Sequence, residues 1–136
     1  MLLKTALLDS AAGTTKKGIV KKTDLMAYSR PRKGGIKAII LAENDSLVNV
    51  RLTNGEKQLM LATKNGKAIK FHEKDARPVG RSSKGVRGIM LKPGDEVIDF
   101  IVADNDKTIL TITRKGYGKR TKISDYRFIK RGGFGV

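Results

Sequence analysis

The chain has 136 residues, with 29 Lys plus Arg against 13 Asp plus Glu and a formal charge of +16. That length suits one domain or two small ones sharing a core, and a charge of that size repels itself unless a polyanion relieves it. With no cysteine and a single histidine, zinc fingers, cysteine nucleophiles and disulfides are excluded, while 39% hydrophobic residues are enough for a core and argue against a disordered chain.

Nucleic acid is the leading polyanion, with anionic membranes and acidic glycans as alternatives. No stretch approaches the roughly 20 apolar residues needed to span a bilayer. The mildly apolar start, Met1 to Leu8, gives way to Asp9-Ser10-Ala11-Ala12-Gly13 and is too short a run for a secretory signal. A soluble, intracellular protein is expected.

In chain order, residues 1–14 read either as a poorly paired first strand or as a segment foreign to the repeat. Strands are predicted at Ile19–Thr23, Ile36–Leu41, Leu47–Leu52, Gln58–Thr63, Ala68–Phe71, Val86–Leu91, Val97–Val102 and Thr108–Thr113. Asn54-Gly55 lies between Leu47–Leu52 and Gln58–Thr63, where residues tolerant of positive φ predict a hairpin. Asp104-Asn105-Asp106 predicts the same for Val97–Val102 and Thr108–Thr113. No window holds a convincing 3.6-residue period, so the chain reads as all-β.

The pattern repeats. Lys17-Gly18-Ile19-Val20-Lys21-Lys22 returns as Asn65-Gly66-Lys67-Ala68-Ile69-Lys70 and again as Lys115-Gly116-Tyr117-Gly118-Lys119-Arg120. Gly35-Ile36-Lys37-Ala38-Ile39 returns as Gly85-Val86-Arg87-Gly88-Ile89. A period of roughly 50 residues with about four strands is that of a propeller blade, with tandem small barrels as the alternative. One domain over 1–136 is expected, divided into a first blade region (1–56), a second (57–106) and the start of a third (107–136), roughly two and a half blades in all.

No catalytic constellation is present. His72 has no second histidine beside it and reads as a solvated loop residue. Glu43-Asn44-Asp45, Gly94-Asp95-Glu96 and Asp104-Asn105-Asp106 read as turn chemistry, not metal sites. No cofactor is assigned. The cations carry the signal, because each unit has a basic, glycine-containing connection: Arg30 to Lys37, Arg77 to Arg87, and Arg127 to Gly133. Radial units would bring these connections to one rim as a basic stripe suited to a phosphate backbone. The alternative is a solvated basic surface. The candidate phosphate contacts are Arg30, Arg32, Lys33, Lys37, Arg81, Lys84, Arg87, Lys119, Arg120, Lys130 and Arg131. Without a recognition helix, contacts that hold and bend duplex without reading bases are expected.

Two stretches carry a family resemblance. Gly116-Tyr117-Gly118-Lys119-Arg120-Thr121 with Lys130-Arg131-Gly132-Gly133-Phe134-Gly135-Val136, and Arg77 through Ile89 followed by Gly94-Asp95-Glu96-Val97, resemble the C-terminal domain of DNA gyrase A. The corresponding domain of topoisomerase IV is the weaker match. The resemblance runs from about Thr15 to the end. It implies a β-pinwheel of blades that exchange strands, a basic perimeter that wraps duplex DNA, and support for negative supercoiling by an ATP-dependent type II topoisomerase. It also implies that this part is non-catalytic: Tyr28, Tyr117 and Tyr126 do not inherit the catalytic tyrosine, and no ATP site is expected. The family's box, QRRGG[KR]G, is approached only by Ile129–Gly135, which has Ile, Lys and Phe at three of its positions.

The partners implied are double-stranded DNA and the rest of gyrase A and gyrase B, in the cytoplasm with the nucleoid and with no membrane. Unpaired strand edges predict self-association by strand exchange. A propeller-type protein-interaction module and a basic RNA-binding β protein are the rival functions.

Overall fold

The computed structural model describes residues 10–136. Three β-hairpins form its frame: β1 (Ser10–Thr15) with β2 (Ile19–Asp24), β4 (Gln58–Thr63) with β5 (Ala68–His72), and β8 (Thr108–Ile112) with β9 (Gly118–Lys122). Each turns on a glycine at positive φ: 89° at Gly18, 87° at Gly66 and 90° at Gly116, a region that a side chain enters only with strain. A threonine closes each turn, as the hydroxyls of Thr15, Thr63 and Thr113 accept the N–H groups of Ile19, Lys67 and Tyr117 at 3.2, 3.1 and 3.2 Å. A single 3-10 turn follows every hairpin (Leu25–Tyr28, Glu73–Asp75, Ile123–Asp125).

The remaining strands come from the connections: β3 (Leu47–Thr53), β6 (Val86–Arg87) and β7 (Val97–Ala103). Sheet order is β3-β1-β2-β6 in the first blade, β5-β4-β7 in the second and β8-β9 in the third. The two predicted hairpins are therefore corrected. β3 pairs with β1, and β7 pairs with β4, so neither strand pairs with the one that follows it. Asn54-Gly55 still reverses the chain, with Gly55 at φ 92° and the Asn54 side chain accepting the Glu56 N–H at 2.9 Å. Turn chemistry sets a change of direction, but the exposed edges of β1 and β4 decide the pairing, and the turn becomes a crossover between blades.

Three further expectations change. Of the segment 1–14, residues 1–9 lie outside the described residues, and the rest belongs to Ser10–Thr15, which is fully paired, flanked by β2 and β3. Of the predicted strand Val86–Leu91 only β6 forms, and it pairs with β2 of the preceding blade at Ile19↔Arg87 and Val20↔Val86. Val136 repeats that pairing on Ala68, with both N–H···O bonds at 2.9 Å. Ile36–Leu41 forms no strand. It occupies the corresponding place in the first connection, and the described residues hold no earlier blade for it to pair with.

Apolar faces close the blades on one another. Val20, Leu59, Leu61, Ile69, Phe71, Ile89, Val97 and Phe100 are buried between the first and second sheets. Met60, Ala68, Ala103 and Ile123 continue the core toward the third. Each fully buried Phe or Leu contributes about 1.5–3 kcal/mol. Lysines pin the seams. Lys22 Nζ reaches the Glu73 carbonyl at 3.0 Å and its carboxylate at 3.5 Å. Lys70, in the same place on β5, donates to the Ile123 carbonyl at 3.0 Å and to Asn105 at 3.2 Å, and lies 4.9 Å from the Phe128 ring centre.

Candidate nucleic-acid interface

The three basic connections lie in successive contact. Arg81 donates to the Lys37 carbonyl at 2.9 Å, and Arg131, 50 residues on, donates to the Arg87 carbonyl at 2.6 Å. The Ile40 N–H bonds the Ser83 carbonyl at 3.1 Å, and the Met90 N–H bonds that of Gly133 at 2.7 Å. Both of these rungs of the ladder are thus repeated one unit later. The second connection also runs along the free side of the first blade, with the Val79 N–H on the Lys22 carbonyl at 2.9 Å and β6 on β2. The third repeats this on the second blade, with the Ile129 N–H on Lys70 at 3.0 Å. Basic segments therefore cover the blade edges remote from β3 and β7, the strands through which the first two blades meet.

Glycines permit that close fit. A Cβ on Gly85 (φ 103°) would stand 2.5 Å from the Val20 carbonyl oxygen, and one on Gly135 (φ 75°) 2.5 Å from that of Ala68. Loop and blade edge touch through backbone, which leaves the long cationic side chains outside.

Arg30, Arg32, Lys33 and Lys37 are exposed on the first connection, Lys84 and Arg87 on the second, and Lys130 on the third. Arg81 and Arg131 are half-buried and serve as the rungs, with Arg131 also donating to the Asp75 carbonyl at 2.7 Å. Lys119 and Arg120 are exposed but lie on β9, away from the ladder. Among the described residues, none of these eleven cations is within 4.0 Å of a carboxylate. The acids are used elsewhere: Asp45 and Asp95 accept the hairpin N–H groups of Lys17 and Asn65 at 2.9 and 3.0 Å. Burial alone would raise the Asp95 carboxyl, but the Thr63 hydroxyl, the Asn65 and Glu96 N–H groups and the Lys64 charge hold it below its ordinary value. His72 is half-buried and not simply solvated, since its Nδ1 caps the 3-10 turn by accepting the Lys74 N–H at 3.1 Å.

Sequence reasoning missed the buried lysines. Lys21 donates to the carbonyls of Ala38 and Arg81. Burial, and then the neighbouring Arg81 charge, push its pKa below 10.5; burial does the same to Lys70. The available signal was register: Lys22, Lys70 and Arg120 occupy one position of the repeated hairpin. Between the lowered folded values of Lys21 and Lys70 and 10.5, the unfolded chain binds more protons than the folded one, so stability rises with pH. The urea midpoint should increase as pH rises toward 10.5, and Lys70→Met should flatten that rise. A midpoint falling over this range would contradict it.

Strand-exchanging blades with a cationic rim define a propeller-like module, a β-pinwheel. The family model described as DNA gyrase C-terminal domain, beta-propeller, matches residues 14–54, 57–104 and 107–136, and the chain belongs to that family. The gyrase A protein of Staphylococcus epidermidis (strain ATCC 12228 / FDA PCI 1200) is 44% identical over 124 residues, covering 90% of this chain but 14% of that protein. A crystal structure of the C-terminal domain of DNA topoisomerase IV superposes with a TM-score of 0.89 at 33% identity, over 93% of this chain and 40% of that one. The DNA gyrase A C-terminal domain superposes at 0.83 with 26% identity, over 96% and 44%.

Proposed function

We propose that the chain binds duplex DNA along the ladder of connections, through phosphates and without reading bases, and bends the duplex around the blade edges. The observation that carries this is the recurrence, 50 residues apart, of the Arg81 and Arg131 rungs, which sets exposed Lys and Arg in register along one succession of loops. Duplex DNA carries about one charge per 1.7 Å of axis, and a repeated row of cations matches a repeated row of phosphates. No α-helix among the described residues is available to enter a major groove, so phosphate contact without base readout follows.

Within a parent type II topoisomerase, the module supplies the wrap that supports negative supercoiling. Strand cleavage and ATP use belong to other parts of gyrase A and to gyrase B. Its place is the bacterial cytoplasm, on the nucleoid. No helix among the described residues is long and apolar enough to cross a membrane.

The test is a titration of duplex at several salt concentrations. With about eight phosphates engaged, log K falls against log[salt] with a slope near −7. Binding indifferent to salt would favour a protein-interaction module, and preference for single-stranded RNA would favour the rival RNA-binding reading.

A further inference from the structure

Gly34, Lys84 and Phe134 occupy one position of the three connections, each directly before a glycine at positive φ: Gly35, Gly85 and Gly135. Lys84 is exposed although the third connection lies against the second. The contacts between those two loops fall further along, on Arg87, Gly88 and Met90. The position therefore faces outward even where a neighbouring connection is laid on the loop. In the third connection it holds a phenyl ring, 55% exposed. Lys130 is exposed on the same loop, and Lys84 and Arg87 on the one before it.

The ring stands on a fixed mount. On one side, the Gly133 carbonyl accepts the Met90 N–H at 2.7 Å, and the Gly133 N–H reaches the Lys130 carbonyl at 3.1 Å. On the other, Val136 exchanges two bonds of 2.9 Å with Ala68. Gly135 between them packs so closely on β5 that a Cβ would stand 2.5 Å from the Ala68 carbonyl oxygen. Main chain holds Phe134 from both sides, and its ring joins neither apolar core. The other exposed ring of this connection, Phe128, is engaged differently, since Lys70 Nζ lies 4.9 Å from its centre.

A cation at this position meets a phosphate. A phenyl ring there would strip water from phosphate oxygens and return no hydrogen bond. The apolar surface of a duplex is its base stack, which wedge side chains reach from the minor groove by parting a base step and kinking the helix. Pyrimidine–purine steps open most easily. We propose that Phe134 is such a wedge: it enters the minor groove of the duplex held along the ladder, parts one step and kinks the DNA at the third connection. This rests on the duplex binding proposed above. The neighbouring cations hold the backbone and the ring supplies the bend. The wedge responds to deformability and hydrogen-bonds no base edge, so a TA step settles over Phe134 in preference to a stiffer one.

The test uses the 136-residue chain and two duplexes of equal length and composition, one with a central TA step and the other with AT. Permanganate is the probe, because it oxidises thymines that have lost their stacking. The wild type should bind the TA duplex more tightly by roughly fivefold or more, the discrimination of a single position, and should make its central thymines reactive. Phe134→Leu keeps an apolar wedge and should retain both effects. Phe134→Lys, which installs the residue of the second connection, should bind both duplexes at least as tightly as the wild type binds AT, with the TA preference and the reactivity lost. Both variants should unfold at the wild-type urea midpoint, because the mount is main chain. A wild type that binds the two duplexes equally and leaves their thymines unreactive overturns the wedge and leaves phosphate binding standing. Failure to bind either duplex overturns both readings. Thymine reactivity that survives in Phe134→Lys means that another group opens the step, which also overturns the proposal. So does Phe134-dependent binding that is tighter to single strands than to duplex, since the ring would then be a stacking platform for unpaired bases.

Discussion

Replacing Glu73 with alanine destabilises the fold by about 3–5 kcal/mol. Its side chain is wholly buried, and its carboxylate accepts the N–H groups of Gly55 at 3.0 Å and Lys57 at 2.8 Å while facing Lys22 Nζ at 3.5 Å. These partners belong to different parts of the seam: the crossover from β3 to β4, and β2 of the first blade. Truncation leaves the Lys22 ammonium, 6% exposed, in the core with only the Glu73 backbone carbonyl to receive it. An uncompensated buried charge is the costly part, more so than the lost attraction.

The repeat itself supplies the control. Leu25 and Ile123 stand in the other units where Glu73 stands here, and at Ile123 the facing Lys70 ammonium is received by the Asn105 side chain and not by a carboxylate, so the position accepts an apolar side chain where another acceptor takes the ammonium. Glu73→Ile alone should be severely destabilised. Adding Lys22→Met should restore most of the loss, because Gly55 and Lys57 are half-buried and their N–H groups can turn to water. Urea unfolding of the wild type, both single variants and the double variant gives the coupling directly. A double variant as unstable as the sum of the singles would mean the pair acts only through packing.

What was legible in the sequence follows from the distance over which each feature is decided. The hairpin turns at Gly18, Gly66 and Gly116 depend on φ and on a threonine hydroxyl a few residues away, and their recurrence is visible by eye. The partner of β3 depends on which edge lies open some 40 residues earlier, and Asn54-Gly55 carries no information about that. Lys22 and Lys70 look like surface cations because the acceptors that bury them are 51 and 53 residues away. The rungs formed by Arg81 and Arg131 each span 44 residues. Recurrence of basic connections marked the three loops that the structure brings into contact, but could not separate cations that face outward from those that hold the loops together.

That separation decides the DNA prediction. Lys33, Lys84 and Lys130 are exposed, one on each connection, and changing all three to alanine removes charge without touching a rung. At about 0.1 M salt the triple variant should bind every duplex sequence roughly two to three decades more weakly, with a slope shallower by about 2.7, near 0.9 for each phosphate no longer neutralised. Its urea midpoint should hold or rise, because self-repulsion falls. Arg81→Ala with Arg131→Ala should behave differently. Only two charges go, but the carbonyls of Lys37 and Arg87 lose their donors and the connections lose their spacing, so stability falls together with affinity. If the triple variant keeps wild-type affinity while the rung variant loses it, the exposed cations are solvated surface and the loops bind by shape. If the triple variant's loss is confined to one duplex sequence, the cations read bases, and the phosphate mechanism is wrong.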